Sequence, residues 1–479
     1  LVRIRTFLEK SRISEREVQY SSMVTMSRVV SKRIIYPAYE WMSGRRILSK
    51  LSYLEGSQWW SLEQIKKWQS DRLAELIHHA HDTVPHYRRS FGAAGITPAD
   101  VRTVADLPRL PLLTKSIIQE YRDDLVSAQF SPKRRISNST GGSTGTPIRF
   151  YQDQQQQDWA TANKLRCNGW AGWDFGKRTL RLWGHPQDLR ATQTARGKLR
   201  GMVLSEHTLD AFRFSSGEMA DLADYFRRKK PQIVVAYASM ISHFAAYVDE
   251  RGITDLPPPL GIITSADMLL PQMRTLIEGV LHAEVFDRYG CREVATIAAE
   301  CREHMGMHLN ADRLIVEFID GADQPCPPGE AGRVVITDLF NYAMPFIRYD
   351  IEDIAILAAN DCACGRGLPL LEELIGRYAD ILVTPQGQFV STSALTTLLP
   401  NVPGLQECQL VQKAIDRLQV NVVQRPDYDQ RSEAMFHHHL AKHFGPKMSI
   451  TFRYVDDIPP TTSGKKRFSV SELHGPPYA

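Results

Sequence analysis

Apolar residues near the start of the chain recur every three or four positions, as in Leu73, Leu76, Ile77 and Ala80, the period that sets side chains on one face of a helix. That spacing predicts helices from about Arg3 to Arg89, a helical lead-in extending over about residues 1–105. Pro108 and Pro111 interrupt the pattern, so Leu107 to Leu113 reads as an extended connection. Farther along, short strand-like runs (Gln232 to Tyr237, Leu260 to Thr264, Glu284 to Phe286) alternate with helix-period stretches (Ser239 to Arg251, Pro271 to Leu281). This rhythm predicts βαβ units and an α/β fold class. Near Gly376 the character changes. Strands over Gln409 to Gln412 and Leu418 to Val423 precede a helix over Arg431 to Phe444, the content of a small α+β domain. The expected division is a large N-terminal α/β core over 1–376 and a small C-terminal domain over 377–479.

Composition narrows the function classes. At 479 residues the chain exceeds what one hydrophobic core usually supports, and 43% hydrophobic with 23% charged residues is ordinary for a soluble globular protein. A formal charge of +4 is small for this length, and the basic runs Lys133-Arg134-Arg135 and Arg227-Arg228-Lys229-Lys230 are short, which argues against nucleic acid as a partner. No apolar window of about 18 residues occurs, so no membrane span is expected. No apolar segment of signal-peptide type follows the first arginines, and the expected location is the cytoplasm. Seven cysteines, few and odd in number, fit reduced thiols, some of them on metal, better than a disulfide framework.

The candidate chemistry begins at Ser139-Thr140-Gly141-Gly142-Ser143-Thr144-Gly145-Thr146-Pro147. Glycines let backbone N–H groups approach an anion closely, and hydroxyls add donors, so the run suits phosphate. It has neither the Walker order nor a dinucleotide fingerprint, and alone it also fits a solvated loop. A second feature is a pair of ligand pairs, Cys301-x-x-His304 and Cys362-x-Cys364, suited to tetrahedral zinc, with reduced unliganded thiols as the other reading. Four protein ligands would make such a zinc structural. His308 is the rival for His304, and could instead face a substrate pocket.

Four more signatures follow in fixed order: Tyr289-Gly290-Cys291-Arg292-Glu293, Arg348-Tyr349-Asp350-Ile351-Glu352-Asp353, Gly376-Arg377-Tyr378-Ala379-Asp380 and Ser463-Gly464-Lys465. With the glycine loop they resemble the adenylate-forming superfamily of acyl- and aryl-CoA synthetases, in particular the phenylacetate-CoA ligase branch and its capsule-biosynthesis subgroup. Leu54-Glu55-Gly56-Ser57-Gln58-Trp59 and Val84-Pro85-His86-Tyr87-Arg88 also look like that subgroup, so the likeness spans most of the chain.

The resemblance implies a large adenylation core, a small mobile C-terminal domain, and a reaction in which a carboxylic acid is joined to the α-phosphate of ATP before a nucleophile takes the acyl group. It implies that Ser139, Thr140, Gly141, Gly142, Ser143, Thr144 and Gly145 cradle phosphates. Tyr289 and Gly290 would meet adenine opposite Ser265, Ala266 and Asp267, Glu293 would help hold Mg²⁺, and Asp353 would take the ribose hydroxyls. Arg377 would meet the phosphate or ribose, and Lys465 the carboxylate and α-phosphate oxygens. Trp183, His185, Tyr237 and Ser239 are pocket candidates for a small carboxylic acid.

The chain departs from the family pattern at Arg292, where Thr is common, at Glu352, where Gly is common, and at Ala379, where an acidic hinge residue is usual. CoA is the expected acceptor. An amine, a sugar or a carrier protein acting in trans is the alternative, and a nucleotide-binding scaffold without turnover is the reading from a different class.

Overall fold

The structure is a computed structural model in which residues 28–140, 148–184, 186–211, 218–377, 382–386, 389–390, 402–459 and 467–473 are described. The part of the expected lead-in before Arg28 lies outside the described residues, and from there on it is largely helical, as its pattern requires. Ser61 opens the helix Leu62–Thr83 with a reciprocal capping box to Gln64, and Leu73, Leu76, Ile77 and Ala80 are all buried along one face. Val84 ends that helix and Pro85 begins the next, Pro85–Ala93, where a missing N–H costs nothing. The segment expected to be extended is partly helical instead. A 3₁₀ helix spans Val104–Arg109 with Pro108 inside it, because Asp106 caps Thr103 and each short turn closes locally. Leu113 then pairs with Tyr349 as an isolated bridge.

A hairpin of β1 (Ile136–Ser139) and β2 (Arg149–Gln152) carries the glycine loop between its arms. The central sheet has eleven strands: β3 (Thr179–Leu182), β4 (Glu206–Leu209), β5 (Ile233–Ala236), β6 (Gly261–Ser265), β7 (Val285–Cys291), β8 (Ala295–Glu300), β9 (Met307–Leu309), β10 (Leu314–Ile319), β11 (Ala331–Asp338), β12 (Tyr349–Leu357) and β13 (Leu370–Arg377). Their order is β10-β11-β12-β13-β9-β8-β7-β6-β5-β3-β4. Neighbours from β4 through β7 run parallel, and every pair from β7 outward to β10 is antiparallel.

The parallel half places the site. From β3 the chain goes to one side to form β4 and then returns to the other side to form β5, a topological switch point whose crevice opens at the carboxyl ends of the strands. The strands β5 and β6 are buried at nearly every position, as parallel strands covered on both faces must be. One face packs on the crossover helices Met219–Lys229, Ala238–Glu250 and Pro271–Leu281. The other, with Ile233, Val235, Ile263 and Phe286, joins the core shared with the lead-in and the helix Gln154–Trp170. The expected α/β class is the one observed.

In the C-terminal part, β14 (Leu382–Val383) and β15 (Phe389–Val390) pair, and β16 (Leu405–Ala414), β17 (Arg417–Gln424), β18 (Ser449–Tyr454) and β19 (Ser469–Ser471) form a sheet of order β18-β17-β16-β19. The helix Gln430–Phe444, capped by Asp429, buries Phe436, Leu440 and Phe444 against it. Gln412 ties β14 to this sheet by exchanging hydrogen bonds with both backbone groups of Val383.

Candidate active site

Segments far apart in sequence meet at the carboxyl end of β7. Tyr289 lies there with its ring nearly buried, and its hydroxyl donates to Asp353 Oδ2 at 2.7 Å. Arg377, at the end of β13, brings Nε to 3.5 Å from the other carboxylate oxygen, because Asp353 and Arg377 are direct cross-strand partners. Three of the sequence signatures therefore converge on one carboxylate. Burial raises the Asp353 carboxyl above its ordinary range, while Arg377 and the Tyr289 hydroxyl pull it back. Burial and the Asp353 charge hold the Tyr289 phenol well above its usual value, so it remains a donor.

The Arg348-to-Asp353 signature is legible residue by residue. Arg348 is buried and reaches Glu317 and the carbonyls of Pro108 and Leu110, fastening the lead-in to the sheet. The Tyr349 hydroxyl donates to Glu293 Oε1 at 2.7 Å, and Asp350 pairs with Arg333 at 3.0 Å. Glu293 is buried, and its carbonyl accepts from Gln152 Nε2 at 2.9 Å, so the hairpin of the glycine loop is docked on the tyrosine signature. Gly290 is required sterically: a Cβ there would lie 2.4 Å from the Ala295 carbonyl oxygen.

Of the expected phosphate loop, Ser139 ends β1, and Thr140 exchanges backbone and side-chain hydrogen bonds with Ile148, which closes the neck. Gly141, Gly142, Ser143, Thr144 and Gly145 lie outside the described residues, as do His185, the hinge residues Tyr378 to Asp380, and Lys465.

On the adenine side, Ser265 ends β6 and donates to the Arg288 carbonyl, and Ala266 turns with a φ of 77°. Asp267 accepts from the N–H groups of Ala238 and Ser239, at 2.7 and 3.1 Å, and from the Ser239 hydroxyl. Ser239, expected in the substrate pocket, is thus bonded to Asp267 at a helix start. Tyr237 is nearly buried at the end of β5 and stacks on Trp183 at 4.7 Å and 22°. Trp183 Nε1 donates to Asp188, and Arg292 pairs with the same carboxylate through two bonds of 3.1 and 3.0 Å. Arg292, then, is directed to Asp188.

The metal-ligand expectation needs one exchange. Cys301, His308, Cys362 and Cys364 offer ligand atoms that all lie within 4.8 Å of one another, with Cys301 Sγ 3.7 Å from Cys362 Sγ and Cys364 Sγ 3.2 Å from His308 Nε2. A tetrahedral zinc with bonds of about 2.3 Å to sulfur needs sulfur pairs about 3.8 Å apart, so this donor set fits. His308 belongs to the cluster and not to the acyl pocket, because β9 sets it between Ala299 and Leu370 with its ring fully buried and Nδ1 held by the Leu368 carbonyl at 3.1 Å. His304 is the ligand that drops out. It sits in the turn after Cys301 with a φ of 49°, and its ring lies against Phe286 and Glu300.

Two groups of residues carry no local sequence signal. Arg166 and Asp312 form a fully buried pair joined by Asn163, Asn310 and Ser57. Lys115 reaches Glu352 Oε2 at 2.5 Å across 237 positions.

The fold and the converging tyrosine, aspartate and arginine define the class: this is the fold of the adenylate-forming CoA ligases. A 2-hydroxyisobutyryl-CoA ligase in its postadenylation state, in complex with an acyl-AMP, superposes with a TM-score of 0.70 at 20% identity, over 86% of this chain and 90% of that one. In sequence, the chain is a homologue of the phenylacetate-coenzyme A ligases. The Aromatoleum evansii enzyme is 27% identical over 334 residues, 67% of this chain and 72% of its own. Protein CapK of Staphylococcus aureus is 24% identical over 85% of this chain and 89% of its own. Residues 382–472 match the family described as the CapK C-terminal domain.

Proposed function

We propose that this protein is an ATP-dependent acid–thiol ligase that converts a small carboxylic acid to an acyl-adenylate and passes the acyl group to CoA. The observation that carries this reading is the meeting of Tyr289, Asp353 and Arg377 around one carboxylate near the carboxyl end of β7. In the first step a substrate carboxylate oxygen bonds to the α-phosphorus of ATP and the bond to pyrophosphate breaks. In the second the CoA thiolate attacks the acyl carbonyl and AMP leaves.

The residues divide that work. Asp353 offers two acceptor oxygens to a ribose, with Arg377 beside it, and Tyr289 offers an aromatic face to a purine. Glu293, fixed by Tyr349, supplies a carboxylate of the kind that Mg²⁺ binds, and bound Mg²⁺ would neutralise charge on the phosphates. The glycine loop and Lys465 are assigned to the phosphates and to the reacting carboxylate by their motifs alone. Trp183 and Tyr237 form a wall of the acid's pocket. Cys301, His308, Cys362 and Cys364 are assigned a structural zinc that clamps β8, β9 and the approach to β13. Such an ion, with four protein ligands, leaves no open position for chemistry.

Pyrophosphate release on adding ATP and a panel of carboxylic acids tests the reading, and repeating it with CoA tests the acceptor. A CoA thioester and a Lys465→Ala variant that binds ATP without releasing pyrophosphate are expected. An adenylate that forms but passes only to an amine, a sugar or a carrier protein would replace CoA as acceptor. ATP binding without pyrophosphate for any acid would leave a scaffold.

A further inference from the structure

Behind the stacked Trp183 and Tyr237 lies a group of charged side chains that the adenylation step does not use. Arg181 stands two residues back along β3, its guanidinium 4.5 Å from the centre of the Trp183 ring. Strand register sets Thr179 beside Glu206 and Arg181 beside Thr208, so alternation brings Arg181 and Glu206 out on the same face of the sheet. The same row continues through Val235, Ile263 and Phe286, and Arg288, two residues beyond Phe286, shares that face. Arg288 Nη1 donates to Asn168 at 2.8 Å, which lays the helix Gln154–Trp170 across these strands. Lys164 lies one turn before Asn168 on the same side of that helix. Arg200 is carried by the helix Ala195–Leu204, which runs directly into β4.

These charges are poorly matched. Asp188 is 3.8 Å from Arg181 and is already held by Arg292 and Trp183. The side chains of Lys164, Arg200 and Glu206 make no hydrogen bond or close ion pair with any described residue. Lys164, Arg181, Arg200 and Arg288 all act on Glu206, while Asp188 is shared between Arg181 and Arg292, so the cations outnumber the carboxylates here. Burial lowers the Lys164 ammonium to about 7, with Arg200 adding to the effect. Burial would raise Glu206, but Lys164, Arg200, Arg181 and Arg288 together bring it down to about 2. Crowding like charges in a half-buried setting is costly, and an anionic group placed among them offsets that cost.

We propose that the acid activated by this protein carries a second anionic group, a carboxylate or a phosphate, at the end away from the reacting carboxyl, seated among Lys164, Arg181 and Arg200 behind Trp183. The inference rests on reading the Trp183–Tyr237 crevice as the acid's pocket and adds the class of acid. An uncharged aryl or alkyl acid would bring no further counter-charge to Lys164, Arg181 and Arg200.

The test compares phenylacetate, 4-carboxyphenylacetate and 4-phosphonophenylacetate on the full chain, by kcat/KM for pyrophosphate release and by calorimetric binding without ATP. The expected result is a preference of about tenfold or more for at least one charged acid over phenylacetate, with the better of the two naming the anion. Arg181→Gln and Lys164→Met should each reduce that preference about tenfold, while Arg181→Lys and Lys164→Arg retain most of it. A preference for phenylacetate, charged acids neither bound nor turned over, or an undiminished preference in the Gln and Met variants would overturn the proposal. Binding of a charged acid that Lys164→Met weakens, with no pyrophosphate released from any acid, would instead overturn the ligase reading and keep the anion site.

Discussion

Replacing Tyr289 separates its two contacts. Its hydroxyl bonds Asp353 at 2.7 Å, and its ring is the aromatic face available for a purine. Tyr289→Phe removes only the hydroxyl. A hydrogen bond to a carboxylate contributes about 1.5–3 kcal/mol, and Asp353 keeps only Arg377, 3.5 Å away, so the empty protein should lose about that much stability. ATP affinity should change by less than about threefold, because in the complex the ribose hydroxyls take up the freed carboxylate oxygen. Tyr289→Leu keeps a side chain that fills space but offers no π-face. Stacking of a base on an aromatic ring is worth about 1–3 kcal/mol, so Kd for ATP should rise about 5- to 150-fold. Calorimetric titration with ATP gives the affinities, and urea unfolding gives the stabilities and shows that each variant is folded. Equal loss of affinity in the two variants, or none in the Leu variant, would refute the stacking role.

Three further outcomes are expected. Asp312→Asn strips the counter-ion from Arg166, whose side chain is 1% exposed, and should cost about 3–5 kcal/mol in urea unfolding; a loss below about 1 kcal/mol would contradict a buried, mutually dependent pair. Elemental analysis should find zinc in the purified wild type and in His304→Ala but not in His308→Ala or Cys364→Ser, and loss of metal only in the His304 variant would restore the sequence-based ligand set. Burial pushes the Asp287 carboxyl up to about 7, with Glu300 assisting and the Thr264 hydroxyl opposing. The folded chain therefore holds a proton that the unfolded chain releases above about pH 4, and stability from this group is lost as pH rises toward 7, by at most about 4 kcal/mol. Asp287→Asn should flatten that part of the stability profile between pH 5 and 8, and an unchanged slope would count against the shift.

What the sequence discloses follows from how local each signal is. The helix Pro271–Leu281 has the bounds its pattern predicts, because Pro271 marks its first turn and His282 ends it in the left-handed region. The parallel strands are legible from short apolar runs, although β7 extends five residues past Phe286 to Cys291, where the tyrosine signature itself becomes strand. The convergence of Tyr289, Asp353 and Arg377 on one carboxylate is legible because each sits in a contiguous motif. The metal set misleads by one residue: Cys-x-x-His spacing favours His304, but a turn with positive φ carries that ring away, and strand pairing delivers His308. Contacts such as Arg292 with Asp188, Lys115 with Glu352 and Arg166 with Asp312 join residues over a hundred positions apart and leave no periodic trace. One hint is the helix Gln154–Trp170, which buries Gln156, Asp158, Asn163, Arg166 and Asn168 beside Trp159, Ala162 and Leu165, so that polar groups are buried among its apolar ones.

Of the three departures from the family pattern, the two among the described residues, Glu352 and Arg292, fall on different sides of the proposed site, and this bears on whether the chain turns over substrate. Glu352 occupies a position with a φ of 65°, where glycine is at ease and another residue pays about 1–2 kcal/mol. The turn is kept all the same, since the Glu352 N–H donates to Asp350 at 2.8 Å and its carboxylate pairs with Lys115. Asp353, the next residue, still meets Tyr289 and Arg377, so the substitution leaves the ribose acceptor in position. Arg292 is turned the other way, onto Asp188 and toward Trp183. By sharing Asp188 with Arg181 it adds a positive charge to the region behind Trp183. On the proposed assignment, one departure is absorbed on the nucleotide side and the other falls on the acid side, the pattern expected of a ligase with an altered acid rather than of a scaffold that has lost its chemistry.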